Sequence, residues 1–120
     1  MPDLQARLRE DLTTALRARD RVTAGVLRTA LSAIANAEAQ PAPADTPVSL
    51  RTEGVIAGAA TGLGAADVAR RELTAADVRT IVAGERDERL ASAADLDARG
   101  AAEAAAALRT EAALLDQYLD

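Results

Sequence analysis

The chain has 120 residues, 49% of them apolar, and a formal net charge of −5. All 14 of its basic residues are arginines, and histidine, cysteine and lysine are absent. Without those three side chains a serine or threonine nucleophile has no internal His or Lys base, and soft metal sites lose their usual ligands, leaving only carboxylate sites for hard cations. The sequence therefore points to no catalytic residue, no metal and no cofactor.

The length suits one compact domain, residues 1–120. Much of the apolar content is alanine, and Tyr118 is the sole aromatic residue. A core of Leu, Val, Ile and Ala favours closely spaced helices over a sheet, which draws on β-branched and aromatic pairs. No signal-peptide pattern or apolar run of about 18–20 residues occurs, so the expectation is a cytoplasmic protein with no membrane partner.

The first helix is predicted from about Asp3 to Arg19. Asp3 is its N-cap, because a carboxylate there accepts from a free amide of the first turn and suits the positive end of the helix dipole. Leu4, Leu8, Leu12 and Ala15 form one stripe at helical spacing, with Leu16 at its edge. Asp20 is predicted to cap a second helix reaching to about Glu38. Val22, Val26, Ala30, Ala33, Ile34 and Ala37 share a face, which Leu27 and Leu31 widen to about half the circumference. So broad an arc suits a helix touched from two sides. The two helices should form an antiparallel hairpin around Arg19, Asp20 and Arg21.

Residues 40–70 read as a surface insertion. Pro41, Pro43 and Pro47 break helix, and Gly54, Gly58, Gly62 and Gly64 add flexible positions. The spacing of Gly54, Gly58 and Gly62 matches membrane helix pairs but lacks an apolar context. Gly62-Leu63-Gly64 begins a dinucleotide fingerprint but lacks its third glycine and a βαβ setting. A loop is the better reading of both, with Val48 to Ile56 a candidate short strand.

Helix resumes at Thr74, which has capping-box spacing to Asp77, and runs to about Ala98. Val78, Ile81, Val82, Ala93 and Leu96 define its inner face, and Gly84 weakens it locally. Arg99-Gly100 marks a turn. The fourth helix spans about Ala101 to Tyr118, with Leu108, Leu115 and Leu119 inward and Leu114 and Tyr118 widening its contact. The predicted fold is all-α: four main helices in two antiparallel hairpins, with a long Pro/Gly/Ala-rich connection between helices two and three.

Two polar groups stand out. Glu85 and Arg89 fall inside the apolar arc of the third helix at i,i+4 spacing, and Glu111 lies beside the inner face of the fourth. Together they form a candidate inward polar network, either a device that sets helix register or the lining of a polar groove. The second group follows from charge distribution. Residues 1–40 hold six arginines against five acids, whereas residues 41–120 hold eight against fourteen. Arg17, Arg19, Arg21 and Arg28 gather around the first turn as candidate RNA-phosphate contacts; the alternative is a solvated face.

The run Asp11-Leu12, Ala15 to Asp20, Val26-Leu27-Arg28, Ile34 and Asn36-Ala37-Glu38 resembles the beginning of the YqeY-like family, stand-alone relatives of the GatB tail domain. Arg71 to Thr74, Val78, Ile81-Val82, Glu85, Arg89, Arg99-Gly100, Glu111, Leu114-Leu115 and Tyr118-Leu119 continue it in order. The match spans most of the chain outside residues 40–70. Family members connect the hairpins briefly, commonly continue into a second small helical subdomain, and tend to have an aromatic residue where this chain has Leu96. The chain thus looks like the first subdomain with an inserted loop.

The resemblance implies an association with the glutamine-dependent aspartyl/glutamyl-tRNA amidotransferase, a carbon-nitrogen ligase whose GatB tail domain is similar to a tRNA-contacting module. In that family the chemistry resides outside this domain. The leading expectation is a non-catalytic helical module associated with tRNA or a tRNA-processing complex. A protein-interaction adaptor is the alternative, favoured by the acidic second half and the lack of stacking aromatics. Amidotransferase activity of the chain itself ranks third.

Overall fold

The structure is a computed structural model that describes residues 3–40 and 71–120. These residues form four α-helices and no strand: α1 (Leu4–Ala18), α2 (Arg21–Ala39), α3 (Ala75–Ala98) and α4 (Ala102–Asp116). The expected insertion, its glycine signals and the candidate strand at Val48 to Ile56 lie outside the described residues. One compact unit comprises Met1–Ile34 with Leu73–Asp120, and Ala35–Glu72 is a second. In the second unit, the Arg71 amide donates to the Glu38 carbonyl at 3.0 Å.

Local chemistry sets the helix ends. Asp3 accepts from the Ala6 amide at 2.7 Å and starts α1. The Asp20 carboxylate accepts from the Thr23 amide at 3.1 Å at the start of α2, where its backbone carbonyl receives the Ala24 amide. At α3 both arms of the capping box form: the Asp77 amide donates to Thr74 Oγ1 at 3.0 Å, and the Thr74 amide donates to Asp77 Oδ2 at 2.9 Å. Aspartate is short for this role, but its reach suffices here. The fourth helix ends two residues earlier than expected, at Asp116. Tyr118 and Leu119 follow in a tighter turn, their amides donating to the Leu115 and Asp116 carbonyls three residues back.

All four helices feed one core. Leu8 from α1, Leu27 and Ile34 from α2, Val82 from α3 and Leu115 from α4 are fully buried, and Tyr118 completes the cluster. Burying a Leu or Ile side chain contributes about 1.5–3 kcal/mol, so these few positions carry much of the apolar stabilisation. On α2 the buried arc is rotated from the expected one. It runs from Val26 through Ala30, Ile34 and Leu27 to Ala24, while Val22 is 56% exposed. At 100° per residue Val22 sits roughly 40° from Val26 on the side away from Leu27, so centring the arc on Ile34 and Leu27 turns it outward. Leu16, at the edge of the α1 stripe, is likewise 47% exposed. Between α3 and α4, alanine does much of the packing: Ala93, Ala105 and Ala112 are buried, and such small side chains let helix axes approach closely.

Candidate anion-binding site at the first hairpin turn

The turn between α1 and α2 is built by the chain end of α1. The Asp20 amide donates to the Ala15 carbonyl at 2.9 Å and the Arg19 amide to the Leu16 carbonyl at 3.2 Å, with Arg19 left-handed at φ 59°. This Schellman pattern satisfies carbonyls that the end of a helix leaves free. It also reverses the chain within two residues, which brings the last turn of α1 beside the first two turns of α2.

The result is an open groove of about 540 Å³ whose walls include Leu16, Arg19, Asp20, Arg21, Gly25 and Arg28. Three of the four expected phosphate contacts, Arg19, Arg21 and Arg28, therefore share one concavity. Arg17 is exposed but lies outside its lining. None of the four arginines makes an ion pair or side-chain hydrogen bond with a described residue. Arg86, Arg89 and Arg109 on α3 and α4, by contrast, are all ion-paired.

Asp20 is the one carboxylate among the described residues that line the groove. Hydrogen bonds from the Thr23 side chain and backbone hold its carboxyl below the usual range, so it is ionised at neutral pH. Its charge is directed to the amide it caps, and the three guanidinium groups outweigh it. Leu16 and Ala24 give the groove apolar surface, and beside Gly25 no atom would meet an added Cβ within 4 Å. Guanidinium forks over such a surface suit phosphate or carboxylate oxygens.

The inward polar residues also come together. Arg89 Nε donates to Glu111 Oε1 at 3.0 Å, and Arg89 Nη1 reaches Glu85 Oε1 at 3.1 Å and the Glu85 carbonyl at 3.0 Å. The side chains of Arg89 and Glu85 are 13% and 17% exposed, and that of Glu111 is 29% exposed. Burial works against the Arg89 charge, but its bonds to Glu111 and Glu85 outweigh this and raise its pKa. With its donors committed to two helices, Arg89 reads as a tie between α3 and α4. No group of three acidic side chains among the described residues could hold a metal ion.

Sequence reasoning did not identify a third cluster, around Tyr118. Its hydroxyl donates to Asp11 Oδ2, and the Arg7 guanidinium lies 5.1 Å from the centre of its ring. Arg7 and Asp11 are four residues apart on α1, which was a signal that they share a face. Nothing local connected that face to the end of the chain. No helix among the described residues is long and apolar enough to cross a membrane. Comparison with protein-family models, curated proteins and solved structures finds no match.

Proposed function

We propose that the chain is a non-catalytic helical module that contacts RNA through backbone phosphates, with transfer RNA the partner that its resemblance to the GatB/YqeY tail domains implies. The observation that carries this reading is the groove at the first turn, whose lining holds Arg19, Arg21 and Arg28, none of them ion-paired with a described residue. Arginine left unpaired in a concave site is available for bidentate contact with phosphate. Net negative charge on the rest of the chain limits the contact to this patch and predicts modest affinity.

A titration with a pooled transfer RNA at several salt concentrations tests the proposal. Binding is expected to weaken as salt rises, and replacing Arg19, Arg21 and Arg28 together by Gln is expected to flatten that dependence by roughly one unit of slope per lost phosphate contact. Absence of binding at low salt, or a triple variant indistinguishable from the unmodified chain, overturns the reading. A protein-interaction adaptor is the second reading. It is favoured by Leu16 and Val22, two exposed apolar side chains near the first turn.

A further inference from the structure

The two hairpin turns are built alike and filled differently. After α3, the Ala101 amide donates to the Leu96 carbonyl at 2.8 Å and the Gly100 amide to the Asp97 carbonyl at 3.0 Å, with Gly100 at φ 81°. After α1, the same pair of bonds forms around Arg19 at φ 59°, the only non-glycine residue with positive φ among those described. Glycine occupies this conformation without steric penalty, whereas a side chain brings Cβ against the following carbonyl oxygen. The same chain therefore uses glycine at one turn and departs from it at the other.

No side-chain contact within the described residues offsets that departure. The Arg19 guanidinium makes no ion pair or side-chain hydrogen bond with a described residue, and the residue is exposed. Its one structural assignment is the wall of the groove, with Arg21 and Arg28. A left-handed residue also projects its side chain differently from its helical neighbours, which separates Arg19 from Arg17 although the two are adjacent in the arginine run. A residue held in a sparsely populated backbone region, whose side chain pairs with no described residue, marks a position kept for use rather than for stability.

We infer that Arg19 is the anchoring residue of the phosphate contact, a guanidinium placed in the groove by a left-handed backbone at a cost in stability. This rests on the RNA-binding reading above and adds that the arginines are unequal. Arg19→Gly is the decisive variant, because the two effects have opposite signs. It is expected to raise Tm by several degrees while weakening binding of the transfer RNA pool at least severalfold and lowering the salt slope by about one. Arg19→Asn, which tolerates the left-handed region but carries no charge, is expected to lose binding similarly without losing stability. Arg17→Gln, outside the groove, is expected to change neither property appreciably.

A fall in Tm for both Arg19 variants would show that the side chain stabilises the turn, and overturns the inference. So does unchanged binding by Arg19→Gly, provided that the triple Gln variant loses it; the site then stands and the anchor is Arg21 or Arg28. If the unmodified chain fails to bind at low salt, the functional reading fails and the inference falls with it.

Discussion

The Tyr118 hydroxyl donates a 2.5 Å hydrogen bond to Asp11 Oδ2, joining the end of the chain to the middle of α1 across 107 residues of sequence. Tyr118 is 7% exposed, and Arg7 lies over its ring. A bond to a charged acceptor contributes more than a neutral one, about 1.5–3 kcal/mol where water is excluded. Asp11 is exposed, so the lower end of that range applies. Tyr118→Phe is expected to destabilise the protein by about 1–2 kcal/mol in urea unfolding. Tyr118→Ala, which also empties a core site, is expected to cost about 3–5 kcal/mol. Equal stability of Tyr118→Phe and the unmodified chain would show that the bond adds nothing.

The same contact predicts an alkaline transition. Burial, then the hydrogen bond to Asp11, raises the Tyr118 pKa well above its ordinary value of 10.0. The folded state thus holds the phenolic proton more tightly than the unfolded chain does. The resulting stability is complete below about pH 10 and declines as pH rises beyond it. The chain has no Lys, Cys or His, so no other side chain has its ordinary pKa between those of the carboxylates and the arginines. Stability measured from pH 8 to 12 is expected to fall in the unmodified chain and much less in Tyr118→Phe, and ultraviolet titration of this single tyrosine reads the shifted ionisation directly.

Arg89 is expected to behave as a shared partner. Its contacts are neither fully exposed, where an ion pair contributes about 0.3–0.5 kcal/mol, nor fully buried, where breaking one costs about 3–5 kcal/mol. Arg89→Ala is expected to lie between these limits, at about 2 kcal/mol. Combining it with Glu85→Ala or Glu111→Ala is expected to cost less than the summed single changes by more than about 0.5 kcal/mol. Strict additivity would mean that the ion pairs are incidental.

Glycine substitutions at two positions are expected to have opposite signs. Gly84 faces open space on α3, so Gly84→Ala is expected to stabilise by about 0.5–1 kcal/mol through helix propensity alone. Gly100 also has open space, but its positive φ makes Gly100→Ala destabilising by about 1–2 kcal/mol. Thermal unfolding of the two variants distinguishes backbone strain from available volume.

Acid is expected to release the start of α2. The Asp20 pKa is lowered chiefly by hydrogen bonds from Thr23, so its contribution is present above the ordinary carboxylate value of 3.8 and disappears as pH falls through the lowered value. Asp20→Asn retains a capping acceptor without the titrating charge. Its Tm profile between pH 5 and 2 is expected to be flatter than that of the unmodified chain; parallel profiles would assign the acid sensitivity elsewhere.

Where helices begin, and where the chain turns between them, was legible in the sequence. Caps act over three or four residues, so Asp3, Asp20, Thr74 with Asp77, and Gly100 could be read without knowing the fold. It also placed Glu85 and Arg89 on the inner face of α3, because helical periodicity is local. Tertiary structure decided what periodicity leaves open. Which edge of the broad α2 arc turns inward depends on its neighbours, and they bury Ala24 and expose Val22. Alanine serves surface and seam alike, so only packing distinguishes buried Ala105 and Ala112 from the exposed alanines around them. The Tyr118–Asp11 bond required the chain to return to its start. At the candidate site, sequence assembled four arginines, whereas the turn geometry placed three in one groove and set Arg19 apart, since backbone dihedrals at a turn are settled by the helices on either side.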